Sequence, residues 1–317
     1  MLPRNAKIIA AYIQQVVSAN LDRRNGLVRD WGTLEEEPYP CVRTTAEAIS
    51  TALYYEKLHG RKELLNLARK LAKPVLRAME IHGGAGWDGT IYLFDTQIAL
   101  MALWRLIERT QEFAAWKGYF DVSDQSRLMA AQLTATHGAA VPDHWTARTT
   151  PHLLKIYPLL PKTEADSLRR LMELPSFTGV VNGHQSNIPL PTAQVCHAIE
   201  GLLVMPDGEY WQALNAAAFL ARQQRADGSM PETLHDPEAA SAADVTAQAV
   251  RIWTIVDRSG YDAAIRKAVD YLDESATPDG LPRYKDTERV CVRSSLYALQ
   301  AVTMSESETA VDPDDLI

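Results

Sequence analysis

Six times along the chain, a polar helical segment with one apolar stripe leads through a Gly/Pro-rich turn into a more apolar helical segment. The clearest copies run from Leu64 to Ile107, from Tyr210 to Val256 and from Tyr261 to Val302. Helix pairs that repeat in this way bury their apolar faces only by stacking on neighbouring copies. With Glu47, Gln97, His152, Gln194, Gln248 and Arg293 as equivalent positions, the copies are spaced by 50, 55, 42, 54 and 45 residues. An open solenoid needs polar capping repeats, and neither end provides one. The first helix places Ile8, Ile9, Tyr12, Ile13, Val16 and Val17 on one stripe, and the last, around Leu296 to Met304, is as apolar as any inner copy. Joining the two ends satisfies both.

The pattern therefore predicts an all-α fold, a six-hairpin (α/α)6 toroid or barrel. Its inner helices fall near residues 42–58, 95–109, 147–159, 192–205, 243–257 and 289–304. Inner helices are packed on most sides and read apolar nearly all round, as Ile98–Ile107, Ala249–Val256 and Ala198–Met205 do. The outer segment Lys62–Met79 shows a single stripe, with Pro74 inside it removing an amide donor. No Ser/Gly-rich or charge-run linker divides the chain, so residues 1–304 read as one domain. Residues 305–317 read as an acidic, flexible tail without periodicity.

A net charge of −8, from 32 Lys and Arg against 40 Asp and Glu, argues against a nucleic-acid or anionic-membrane surface. No apolar run approaches the ~20 residues of a bilayer span. The start of the chain lacks the pattern of a secretory signal. Three cysteines, Cys41, Cys196 and Cys291, form no CxxC pair. Reduced thiols in a cytoplasmic protein are the simplest account.

In a toroid the turns from outer to inner helices gather at one mouth. Here those turns are long and the opposite ones short, which marks the first mouth as the functional one. Arg43, Arg148, Arg289 and Arg293 lie at or near first turns of inner helices, where the helix dipole disfavours cations. Each can pair with a local acid (Glu47, Asp143 or Glu288). Alternatively, Arg43, Arg148 and Arg293 converge on an anionic ligand such as a carboxylate, sulfate or phosphate.

A polar signature also recurs there: Thr45-Ala46-Glu47, Asp95-Thr96-Gln97, Thr192-Ala193-Gln194 and Thr246-Ala247-Gln248. The Thr or Asp suits an N-cap, yet a capping box needs its partner three residues on, and Thr-Ala-Gln offers it at two. That spacing leaves Gln97, Gln194 and Gln248 to face the cavity, where amides suit sugar hydroxyls.

The segment Phe219–Glu232, FLARQQRADGSMPE, resembles the Gln-x-x-Asp-Gly-Ser repeat of class II terpene cyclases and protein prenyltransferase β subunits; PDGLPRY and GGAGWDGTIY are looser copies. Similar repeats occur in α/α-toroid enzymes that act on polysaccharides, among them lyases, glycoside hydrolases and epimerases. The resemblance implies the toroid architecture over most of the chain without selecting one activity. Terpene cyclases use an Asp-x-Asp-Asp acid and an aromatic cavity. Here aromatics are 8% and the one such match, Asp312-Pro313-Asp314-Asp315, lies in the tail. Cys196-His197 is similar to part of a lanthipeptide-cyclase zinc site, but Asp88 stands where that resemblance implies a third cysteine. No metal or other cofactor is expected.

These departures favour an acidic saccharide or another anionic small molecule as ligand, in bacterial polysaccharide metabolism. Asp95 and Asp244 head inner helices three hairpins apart and would face each other as acid and base; N-capping is the alternative role for both. His184, set among Gly and Asn, is a further candidate base for elimination or epimerisation. Trp87, Tyr92 and Trp145 are candidate sugar-stacking platforms. An isoprenoid cyclase-like enzyme and a non-catalytic toroid scaffold remain the alternatives.

Overall fold

The computed structural model describes residues 1–30, 39–87, 90–91, 93–112, 189–204, 210–285, 287–307 and 311–316. Helices α1 (Ala6–Ala19), α3 (Lys62–His82), α6 (Tyr210–Gln223) and α8 (Asp262–Ser275) form the outer set. Each buries one stripe. In α3 it is Leu64, Ala68, Leu71, Ala72, Val75, Leu76 and Met79, the three-and-four spacing of one helix face. Pro74 lies inside this helix, which continues past it.

The inner set comprises α2 (Val42–His59), α4 (Leu93–Thr110), α5 (Thr192–Leu203), α7 (Ala243–Asp257) and α9 (Val292–Glu306). In α7 every residue from Ala243 to Thr254 is buried, so no face of that stretch meets water. These bounds agree with the sequence expectation to within a few residues. The expected inner helix at 147–159 lies outside the described residues.

Helix α5 packs on α7, α7 on α9, α9 on α2 and α2 on α4. The last helix of the chain thus sits beside the first hairpin, and α1 fills the groove between α9, α2 and α3. Outer helices straddle inner ones in the same sense, α6 across α5 and α7, α8 across α7 and α9. The two apolar ends of the repeat satisfy each other, and the result is a closed all-α toroid rather than an open superhelix.

Short antiparallel ribbons lead into the inner helices at one mouth. They are β1 (Val28–Asp30) with β2 (Tyr39–Cys41), β3 (Gly86–Trp87) with β4 (Thr90–Ile91), and β6 (Met230–Pro231) with β8 (Ser241–Ala242). A fourth pair, β5 (Leu190–Pro191) with β7 (Thr233–Leu234), ties neighbouring repeats together.

Here the recurring threonine departs from the N-cap expectation. Thr45, Thr96, Thr246 and the equivalent Ser295 each occupy the fourth position of an inner helix rather than the cap. Their hydroxyls accept the amides of Val28 (2.8 Å), Ala85 (2.8 Å), Met230 (2.9 Å) and Leu281 (2.7 Å). Those of Thr45, Thr246 and Ser295 donate to the carbonyls of Cys41, Ala242 and Cys291, four residues back. One hydroxyl therefore fastens the incoming chain to the helix and completes that helix's first turn. The caps of α2 and α9 are thiols: the sulfurs of Cys41 and Cys291 accept the amides of Thr44 and Ser294. Thr192 differs, being the first residue of α5 with its hydroxyl on the carbonyl of Pro231.

The Gln-x-x-Asp-Gly-Ser segment is a brace between repeats. The Gln224 amide donates to the carbonyls of Gly228 (3.0 Å) and Ala264 (2.9 Å), the latter on the next outer helix. Asp227 holds both the amide and the hydroxyl of Ser229. Gly228 takes φ +88°, and a Cβ there would stand 2.1 Å from the carbonyl oxygen of Lys267. The motif that carries the family resemblance therefore does structural work.

The tail departs from its expected looseness over residues 311–316. Leu316 is 2% exposed, and Pro313–Asp315 forms a 3-10 turn against the ends of the inner helices. An apolar residue near the terminus, together with carbonyls that find donors, offsets the acidic composition.

Replacing Gly228 with Ala should destabilise the protein by about 3 kcal/mol in chemical denaturation, since both the positive φ and the Lys267 backbone oppose a side chain. Thr246→Val, which keeps shape but strands the Met230 amide, should cost ~1–3 kcal/mol by the same measurement.

Candidate functional site

The long-loop mouth carries charged side chains from four inner helices and three connecting segments. Arg43 is the second residue of α2. Its Nε donates to Glu47 Oε1 (2.9 Å), its Nη2 meets His197 Nε2 (3.1 Å), and its Nη1 stands 3.7 Å from Asp95 Oδ1. The guanidinium lies 4.6 Å from the centre of the Phe94 ring. Glu47 also accepts the Tyr297 hydroxyl (2.7 Å), while its second oxygen has no partner among the described residues. Both the Arg43–Glu47 pair expected from the sequence and the approach to Asp95 are therefore present.

Arg293, at the same position of α9, is held differently. It stands 3.7 Å from Asp30 Oδ2 and 3.9 Å from Asp244 Oδ2, ion-pair contacts too long for good hydrogen bonds. Its Nε, the atom nearest Asp244, is buried without a hydrogen-bond partner among the described residues. Asp30, 1% exposed at the end of β1, accepts the Thr44 hydroxyl (2.8 Å) and the Cys291 thiol (3.2 Å). Asp244 is gripped by Arg283 Nε (3.2 Å), and Arg283 Nη2 reaches Glu232 (2.8 Å), which also accepts the Tyr284 hydroxyl (2.7 Å). Arg289, by contrast, is exposed ahead of α9.

The two aspartates anticipated as a pair sit in opposite electrostatic environments. Burial, aided by Glu47, pushes the Asp95 carboxyl above its ordinary range despite Arg43 and Arg293. Burial also opposes the Asp244 charge, but Arg283, Arg293 and the Val245 amide outweigh it and hold that carboxyl below its ordinary range. Arg293 acts on both. Two carboxyls driven apart in this way are suited to acid and base roles.

The amides are less free than expected. Gln97, Gln194 and Gln248 are all buried, and Gln248 Nε2 lies 3.1 Å from His197 Nδ1 and 3.5 Å from Glu200 Oε2. Gln248 thus belongs to a buried cluster rather than to an open ring of sugar-binding amides. Trp87 lies in β3, at the mouth. His184, Arg148, Tyr92 and Trp145 lie outside the described residues.

Several members of the site went unnoticed in the sequence. Glu200 and Arg251 are fully buried, 2.5 Å apart, with His197 at 3.2 Å from Glu200 and the Arg251 guanidinium 4.2 Å from the Tyr297 ring centre. Their signal was available: each is a charge inside an otherwise apolar inner helix, where an ion must find a partner. Asp30 gave no such signal, because it precedes a loop.

Cys41, Cys196 and Cys291 are buried free thiols, and burial pushes the Cys41 thiol up to about 11. Among the described residues no group of three His, Cys, Asp or Glu side chains is placed to hold a metal ion, and no helix is long and apolar enough to cross a membrane.

No sequence-family model and no curated protein matches the chain. Solved structures do, along nearly their whole length. A polysaccharide lyase is similar at 13% identity and TM-score 0.61, covering 95% of this chain and 96% of that one. A glycosyl hydrolase family 88 protein from Bacteroides vulgatus is similar at 13% identity and TM-score 0.60, covering 95% and 99%. A possible member of the GH105 family from Klebsiella pneumoniae is similar at 14% identity and TM-score 0.61, covering 96% and 95%. The likeness is one of fold. This chain is an (α/α)6 toroid.

The two aspartates should be separable by pH. A raised carboxyl contributes stability that is present below its unfolded pKa and lost as pH rises through the folded value; a depressed one contributes stability above its unfolded pKa, lost as pH falls through the folded value. Asp95→Asn should therefore raise the Tm near pH 7 and Asp244→Asn lower it, and both differences should shrink below about pH 4, in thermal melts followed by circular dichroism.

Proposed function

We propose that this toroid is a carbohydrate-active enzyme that takes an acidic saccharide at its long-loop mouth and acts on it by acid–base chemistry. The observation that carries the reading is Arg293, poised between Asp30 and Asp244 at ion-pair distance, with a buried Nε that makes no hydrogen bond among the described residues. A guanidinium held in this way is suited to a planar carboxylate such as that of a uronic acid. Arg43, at the equivalent position one hairpin away in the ring, offers a second positive charge at the same mouth.

The carboxyl chemistry supports the same reading. Asp95, whose carboxyl burial raises above the usual range, is the candidate proton donor to a leaving glycosidic oxygen. Asp244, held ionised, is the candidate base that takes a proton from water as its oxygen bonds to the anomeric carbon and the glycosidic C–O bond breaks. The described site holds three guanidinium groups, Arg43, Arg283 and Arg293, against five carboxyls, Asp30, Glu47, Asp95, Glu232 and Asp244. Such a site suits a hydroxyl-rich ligand bearing one anionic group better than a polyanion, and a hydrocarbon poorly. Solved structures of similar fold include proteins titled as a polysaccharide lyase and as glycosyl hydrolases, which agrees with a saccharide.

The test is turnover and calorimetric binding across matched oligosaccharides with and without uronic acid residues. Acidic members should bind and be cleaved, Arg293→Ala should raise KM about tenfold or more, and Asp244→Asn should lower kcat by ~10²–10⁴ with binding retained. Equal handling of the neutral analogues would remove the anionic group from the proposal. Full turnover by Asp244→Asn would remove its catalytic role.

A further inference from the structure

The far mouth, where the inner helices end, holds a feature that the saccharide reading does not use. Residues 311–316 fold back into it, and donors from three inner helices hold them. Lys57 of α2 meets the Asp315 carboxylate (2.8 Å). Arg105 of α4 donates to the carbonyls of Asp314 (2.5 Å) and Leu316 (3.0 Å). Gln300 of α9 donates to the carbonyl of Asp315 (2.7 Å). The segment forms one wall of a cavity of about 580 Å³ whose other walls include Leu53, Trp104, Arg105 and Glu200.

Gln300 is fully buried, and its other end faces inward: its Oε1 accepts from Arg251 Nη1 (2.8 Å). Arg251 Nη2 donates to Glu200 Oε1 (2.5 Å), Glu200 Oε2 meets His197 Nδ1 (3.2 Å), and His197 Nε2 meets Arg43 Nη2 (3.1 Å). The arginines fix the direction of the bonds they make. An arginine only donates, so Arg43 makes His197 Nε2 an acceptor and a neutral ring carries its proton on Nδ1, which faces Glu200 and also lies 3.1 Å from Gln248 Nε2. Likewise Arg251 demands the oxygen of the Gln300 amide, whose NH₂ must then find the tail carbonyl. Reversing the Gln300 amide would turn its NH₂ on Arg251, donor against donor, so the arginine sets its orientation. A second route joins the same ends: Arg251 stacks on Tyr297, whose hydroxyl donates to Glu47, the partner of Arg43.

We infer that the C-terminal segment 311–316 is a positioning element for the saccharide mouth. Docked in the far mouth, it fixes the chain Gln300–Arg251–Glu200–His197 and thereby the placement of Arg43, so that ligand binding at one mouth and tail docking at the other favour each other. The inference rests on the reading of the Arg43 mouth as the ligand site. Undocking admits water to Gln300 and to the buried Arg251–Glu200 pair, and loosens Arg43 from the opposite side of the toroid. Coupling of this kind is reciprocal.

The experiment compares the full chain with two variants, Leu316→Asp, which expels the tail without altering any helix, and Gln300→Leu, which cuts the chain with the tail present. Hydrogen–deuterium exchange is read at peptides spanning 42–47 and 192–200, and kcat and KM are read separately on uronic-acid oligosaccharides. Both variants should speed exchange at those upper peptides and raise KM about fivefold or more while kcat moves by less than about twofold. In the parent chain the oligosaccharide should slow exchange in 311–316, and Gln300→Leu should abolish that protection.

If Leu316→Asp speeds exchange only near Leu53 and Trp104 and leaves 42–47 and 192–200 unchanged, the tail is a local plug and the inference fails. Should Gln300→Leu lose its thermal transition, Leu316→Asp alone decides. A parent chain that neither binds nor turns over the oligosaccharides defeats the saccharide reading instead, and the exchange comparison still judges the linkage between the mouths.

Discussion

The constraint on which this molecule depends is that its inner helices are dry on nearly every face. Residues 243–254 of α7 are buried without interruption, and long stretches of α2 and α9 are too. A polar group on such a helix has no water to fall back on and must be paired within the ring. The buried charges therefore do not lie scattered. Arg251 on α7 meets Glu200 on α5 and Gln300 on α9, and His197 on α5 meets Arg43 on α2. One requirement, satisfaction of ions in a closed ring, both staples the inner helices together and gathers the chemistry at the axis.

The same requirement shapes the mouth. Helices α2, α5 and α7 start directly after a short ribbon strand and α4 close behind one, and in four repeats the incoming segment brings an amide into a dry corner. In four repeats a fourth-position hydroxyl, Thr45, Thr96, Thr246 or Ser295, accepts it. With the incoming chain pinned there, the second and third positions of those helices lie at the long-loop mouth. Those are the positions of Arg43, Asp95, Asp244 and Arg293. The repeated polar signature is thus the anchor, and the variable residues beside it form the site.

Arg43 and Arg293 sit where the helix dipole disfavours a cation, and each is accommodated by nearby acids: Glu47 and Asp95 for one, Asp30 and Asp244 for the other. The two solutions are not equivalent. Arg43 is hydrogen-bonded from two sides, whereas Arg293 keeps its carboxylates at ion-pair distance. This asymmetry separates a guanidinium locked into the wall from one left with capacity for a ligand. Asp95 and Asp244 shift in opposite directions for a further reason: burial and Glu47 outweigh the arginines around Asp95, whereas Arg283 grips Asp244 directly.

Periodicity alone determined the architecture: which segments are helices, which set lies inside, and that two apolar ends must meet. Burial of an apolar stripe is a property of local sequence, and it held to within a few residues for Val42–His59, Ala243–Asp257 and Val292–Glu306. The arginines at helix starts and the Asp95–Asp244 pair could be named as candidates because they break a local rule or head an inner helix. Tertiary structure alone decided who answers whom. Thr246 reads as a cap until the Met230 amide arrives from another segment, and Gln248 reads as free until His197 closes on it. Asp30 and the tail carbonyl of Asp315 carry no local sign of their roles, since a partner hundreds of residues away supplies the Cys291 thiol to the first, and Gln300 meets the second only because residues 311–316 fold back toward α9. Helix formation is written in spacings of three and four residues; the pairing of buried polar groups depends on which strangers the closed ring makes neighbours.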